Sequence, residues 1–156
     1  DVGGPWRVKF QADRSAPEEI ILSNLISLDQ HTLEGVKYFS GAATYINSIE
    51  IPALVAGEKI RLNLGEVKNL AEIYVNGQKV TTLWKQPFVT DISAFVHAGT
   101  NQIEVKVINS WVNRLIGDAQ KDAKKITYLS MPMMIQAGMP TETSGLLGPV
   151  TYERIK

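Results

Sequence analysis

An all-β sandwich is the fold class that this chain predicts, and three observations predict it. Apolar and polar residues alternate with period two in several separate runs, glycines fall between those runs at turn-like spacing, and helix signals are sparse. Period-two alternation puts every second side chain on one face of an extended strand, so each run has one face to bury and one to solvate.

Taken in order, Trp6, Val8 and Phe10 alternate with Arg7 and Lys9, which makes Trp6 a core residue of a first strand. Pro17 to Leu28 has a helix-compatible start, with Ser15 before the proline and Glu18-Glu19 in the first turn, but its apolar residues also suit an irregular connection. Val36 to Ile51 is rich in Tyr, Phe, Thr and Ile and predicts one long strand, or two broken near Gly41. Ile60, Leu62 and Leu64 alternate with Lys59, Arg61 and Asn63. Asn76-Gly77 stands between two alternating runs and predicts a two-residue hairpin, because a type I′ turn needs positive φ at both central positions. Ser93 to His97 reads as one turn, with Asp91 making or capping it, and Ile103, Val105 and Val107 alternate with Gln102, Glu104 and Lys106.

Between Trp111 and Thr143 the alternation is lost. This stretch holds Gly117, Pro132, Gly138, Pro140 and all four methionines, and reads as a long excursion before the last strand, with a short helix around Ala119 to Lys125. Connections of that length in a compact domain are often functional. Met131, Met133, Met134 and Met139 with Ile135 form an apolar cluster that serves either as core under the loop or as a face for a neighbouring domain.

The 156 residues are about one domain, spanning 1–156, and 44% hydrophobic content suffices for an ordinary core. Sixteen basic and 16 acidic residues cancel, with no charged run to read a polyanion or an anionic membrane, so nucleic acid and membrane are not expected partners. No apolar run approaches the roughly 18 residues of a membrane span, and no signal-peptide order is present. The start at Asp1 without methionine suggests a processed or excised chain. The lack of cysteine excludes disulfides and thiol chemistry and leaves the compartment open.

Little in the sequence points to self-contained catalysis. Glu72 and Glu104 lie on the polar side of alternating strands and Glu18-Glu19 follow a proline, so no pair is marked for the two-carboxyl arrangement, about 5 to 10 Å apart, that glycoside hydrolysis uses. His31 and His97 are the only histidines, too few for a closed zinc site. No cofactor is expected, although carboxylates and backbone carbonyls could hold a structural calcium at a place the sequence does not mark. A phosphate loop and a nucleophile elbow are both missing, and Ser40 and Ser144, each before a glycine, read as turn or strand-end residues.

Aromatic rings beside planar polar groups are the usual platform for sugars. Trp111 opens the excursion and is followed by Asn113, Arg114 and Asp118, which together are the best candidate surface; the alternative is that Arg114 and Asp118 pair to pin the excursion to the sandwich. Trp84, in Leu83-Trp84-Lys85-Gln86-Pro87, either covers one end of the sandwich, the simpler reading, or faces a ligand.

A family resemblance rests on ordered short motifs. These are Val75-Asn76-Gly77, Leu83-Trp84 with Pro87-Phe88 and Asp91-Ile92, Gly99-Thr100-Asn101, Asn109, and Ser144-Gly145-Leu146 with Gly148-Pro149-Val150. Together they resemble the sugar-binding domain of family 2 glycoside hydrolases. With Tyr38-Phe39-Ser40-Gly41, Thr44-Tyr45, Leu64-Gly65 before Ala71-Glu72, and Asn113 to Asp118, the chain is more similar to the related domain of α-L-rhamnosidase-type enzymes of family 106. The resemblance implies a jelly-roll, galactose-binding-like sandwich that is not itself catalytic. It further implies carbohydrate and the catalytic barrel of a larger bacterial polysaccharide-degrading chain as partners, in a secreted or periplasmic enzyme. An autonomous carbohydrate-binding module and a purely structural interdomain module remain alternatives.

Overall fold

Two antiparallel layers enclose the side chains that the alternation marks as apolar. The computed structural model describes residues 1–130 and 134–156. One layer is a sheet in the order β2-β1-β3-β9-β6-β7, formed by β1 (Trp6–Phe10), β2 (Glu19–Leu22), β3 (Ala42–Ile51), β6 (Leu70–Val75), β7 (Gln78–Leu83) and β9 (Gly99–Ile108). The other is built from β11-β4-β8, with β4 (Lys59–Asn63), β8 (Val89–Asp91) and β11 (Thr151–Ile155), and is continued by β10-β5, with β5 (Glu66–Lys68) and β10 (Gly145–Gly148). The result is a jelly-roll-type β-sandwich.

Gly65 and Gly148 make the continuation possible. They bridge each other where β4 passes into β5 and β10 into β11, both at positive φ (66° and 72°), and a Cβ on Gly65 would collide with the Gly148 carbonyl. Inside, Trp6, Val8, Tyr45, Ile60, Leu62, Leu64, Ile73, Ile103, Val105 and Val107 are buried, as the period-two pattern requires. Burial pushes the Tyr45 hydroxyl pKa up, against a smaller opposing effect of the Leu146 backbone.

The Asn76-Gly77 hairpin has the expected positive φ values, 50° and 77°, and joins β6 to β7. Its asparagine does more than turn the chain. Asn76 Nδ2 donates to Asn101 Oδ1 at 2.8 Å and to the Phe95 carbonyl at 2.9 Å, while its Oδ1 accepts the Gln102 amide at 3.0 Å. Asp91 Oδ1 accepts the Ser93 amide at 2.9 Å, which is the expected cap of the following turn.

Four local expectations are corrected. The segment after Pro17 forms β2 rather than a helix, because Glu19 to Leu22 pair with Lys9 to Trp6 at the sheet edge. Val36 to Ile51 holds a single strand, β3, that begins only after Gly41, and Val36 and Lys37 belong instead to the single-turn helix α1 (Glu34–Lys37). In the excursion the helix is α2 (Val112–Asp118), earlier than Ala119 to Lys125, where the chain turns instead and Asp122 adopts a positive φ of 61°. The excursion precedes the last two strands rather than only the final one.

Candidate functional site

Strand register gathers the candidate residues at one end of the large sheet. Phe10, Ala43, Val107, Ala71 and Leu83 stand in one cross-strand row. Beyond that row the chain runs into the β1–β2 loop, the Ser40-Gly41 link, the Lys68-Asn69 link, the segment after Leu83 and the start of the excursion. Trp84 and Trp111 therefore share an end. They follow β7 and β9, two strands apart, which is roughly 10 Å in the sheet.

Both rings reach solvent. Trp84 is 69% exposed, with Lys85 Nζ 5.2 Å from its ring centroid. The reading that it covers the core is thereby corrected: Phe88 and Leu83 already supply the apolar cover, Phe88 being 4% exposed. Trp111 is 47% exposed and has the Arg14 guanidinium 4.7 Å over its ring, a cation–π contact that covers one face. Arg14, on the β1–β2 loop, carries no sequence signal of its own; only the fold brings it to Trp111.

Asn113, Arg114 and Asp118 turn inward from α2. Asn113 Nδ2 donates to the Glu142 carbonyl and its Oδ1 accepts the Glu142 amide, both at 2.7 Å. The Arg114 amide donates to Ser40 Oγ at 3.2 Å, and its Nη2 lies 2.9 Å from Asp118 Oδ1 one helical turn on, with both side chains 6% exposed. Asp118 Oδ2 accepts the Thr127 and Ile126 amides at 2.8 and 3.1 Å and the Thr127 hydroxyl at 2.5 Å. Burial pushes the Asp118 pKa up, but these donors and the Arg114 charge together bring it below the ordinary value. The pair thus ties the two sides of the excursion's first bend together. Among the described residues, Arg114 Nε has no hydrogen-bond partner.

Next to this ion pair lies a cleft of about 280 Å³ between α1 and the turn after α2, lined by Ser15, Tyr38, Arg114 and Gln120 to Lys124. Ser40 and Ser144 are buried hydrogen-bonding residues, Ser144 giving its amide to Ser27 Oγ at 2.9 Å. Among the described residues, no three His, Asp or Glu side chains gather as a metal-ligand set, and no helix is long and apolar enough to cross a membrane. Met134 and Met139 are exposed; Met131 and Met133 lie outside the described residues.

Residues 4–134 match the family model for the glycosyl hydrolases family 2 sugar binding domain. A candidate beta-glucuronidase of Formosa agariphila is 34% identical over 174 residues, covering 96% of this chain and 15% of that protein. Among solved structures, a rhamnosidase from Novosphingobium sp. PP1Y is 45% identical with a TM-score of 0.94, covering 99% of this chain and 15% of that one. A Ruminococcus gnavus beta-glucuronidase, 20% identical over 93% of this chain and 26% of its own, has a TM-score of 0.63, a likeness of fold. The chain spans 15% of the length of the first two.

Proposed function

Since the chain belongs to the sugar binding domain family of family 2 glycosyl hydrolases, we propose that it is a non-catalytic accessory domain that orients the catalytic part of a larger glycoside hydrolase and contributes sugar contacts. The observation that carries the sugar contacts is the pair of solvent-exposed tryptophans, Trp84 and Trp111, at one end of the large sheet. An exposed indole offers its face to the C–H side of a sugar ring, while Arg14 and Lys85 beside the two rings supply hydrogen bonds to hydroxyls. Asn113, Arg114 and Asp118 hold the segment that presents Trp111. The Arg14 guanidinium occupies one face of that ring, so the sugar takes the other face or displaces Arg14.

The rhamnosidase and the candidate beta-glucuronidase among the relatives support a parent enzyme that removes rhamnose or glucuronic acid; we further propose that it acts on polysaccharide as a secreted or periplasmic enzyme. A second reading, an autonomous carbohydrate-binding module, is favoured by the exposure of both tryptophans, whereas a purely structural module would bury them. The test is binding of the chain and of Trp111→Ala to plant and microbial oligosaccharides that include rhamnose- and galactose-containing glycans. Specific binding that the variant loses supports the sugar-contact reading. If a correctly folded chain binds no glycan, that reading fails and a scaffold role is left.

A further inference from the structure

We propose that the cleft between α1 and the turn after α2 is a subsite for a single uncharged sugar residue. The inference rests on the sugar-binding reading above and adds a place and a ligand class to it. At about 280 Å³ the cleft lies just below the low end, about 300 Å³, of small-ligand sites, which suits one ring rather than a chain.

Charge selects the ligand class. Lys121 and Lys124 share the lining with Glu34 and Asp122, and Arg114 is neutralised by Asp118, so cationic and anionic groups balance. Among the described residues, neither lysine has a carboxylate within ion-pair distance, so these groups are free for a ligand. An anion gains little from a balanced site. A hydroxyl donates and accepts at once and needs both kinds of group.

The remaining wall agrees. Gln120 gives its Nε2 to the Ile116 carbonyl at 2.9 Å and keeps Oε1 as an acceptor. Arg114 Nε is a buried donor without a partner among the described residues. The Tyr38 side chain packs against Gly117, where an added Cβ would meet the Tyr38 Cβ at 2.6 Å and its ring Cγ at 2.8 Å, and its ring supplies an apolar wall for the C–H face of the sugar. Apart from Tyr38 and Arg114 none of these positions stands out in the sequence, because α1 and the turn after α2 are brought together only by the fold.

Titration calorimetry on the whole chain tests this with neutral oligosaccharides ending in rhamnose, galactose or glucose, and with their uronate counterparts. The side chains of Gln120 and Lys121 reach the surface, so Gln120→Ala/Lys121→Ala keeps the fold, which circular dichroism checks. The expected result is preference for a neutral sugar and at least tenfold weaker binding in the double variant. Unchanged affinity in that variant, or uronate binding as tight as neutral sugar, overturns the subsite and leaves sugar binding standing. Absence of binding to every glycan overturns both.

Discussion

The Asn113 side chain pairs with the backbone of Glu142 in both directions, as a strand neighbour would, through two hydrogen bonds of 2.7 Å. Residues 29 positions apart are thereby closed into a loop, and the excursion has a clasp at its base. Asn113→Ala is expected to destabilise the chain by roughly 2–4 kcal/mol, two hydrogen bonds plus the unpaired backbone groups left behind. Urea unfolding monitored by circular dichroism measures it. Asn113→Asp keeps the acceptor, loses the donor and is expected to recover only part of the loss.

Asn101 closes the opposite end of the sheet. Fully buried, it accepts the His97 amide at 2.9 Å and Asn76 Nδ2 at 2.8 Å, and donates to the His97 and Gly99 carbonyls at 2.7 and 2.8 Å. A double-mutant cycle of Asn76→Ala and Asn101→Ala is expected to return a coupling of about 0.5–3 kcal/mol. Strict additivity would show that the two asparagines act independently.

Acid sensitivity has a located source. Hydrogen bonds from Lys79 (2.7 Å) and Lys106 (3.1 Å) hold the Glu72 carboxyl at about 2, against an ordinary 4.5. A carboxyl depressed in the folded state stabilises it above the unfolded pKa and loses that contribution as pH falls through the folded one. Glu72→Gln is therefore expected to flatten the fall in denaturation midpoint between about pH 4.5 and 2. An unchanged acid limb would assign the sensitivity elsewhere.

Tryptophan emission separates core from site. Trp6 is 1% exposed, whereas Trp84 and Trp111 reach solvent beside Lys85 and Arg14, which attract iodide. Iodide is expected to quench most of the emission, Trp84→Phe and Trp111→Phe each to reduce the quenchable part, and the double variant to retain only a blue, protected band. A bound sugar is expected to shield the wild-type rings.

Where a strand has one buried face, the sequence carries its own register. Trp6-Val8-Phe10, Ile60-Leu62-Leu64 and Ile103-Val105-Val107 are legible because burial and alternation are the same fact, and Asn76-Gly77 is legible because its turn demands those backbone angles. β2 was hidden by Glu18-Glu19 after Pro17, a helix-like opening on a strand that exposes Ile21 at the sheet edge. The pairing of Arg114 with Asp118 is legible in the sequence, but the helix that carries it is not placed there, although the four-residue spacing is that of a helical pair. Nothing local to Trp84 tells that Phe88 and Leu83 fill the role of core cover and leave its ring to solvent. Arg14 over Trp111, and the cleft beside it, depend on segments about a hundred residues apart meeting at one sheet end, which no local pattern encodes.

The hairpin tip at Asn76-Gly77 and the two exposed tryptophans lie at opposite ends of β7. Seven residues of extended chain from Gly77 to Trp84 separate them by roughly 20 Å. Gly77 has open space around its α-carbon. The molecule thus has a natural handle. A label or surface anchor attached just beyond Asn76 would leave the tryptophan end facing solution, so immobilised glycan assays could present every molecule in the same orientation.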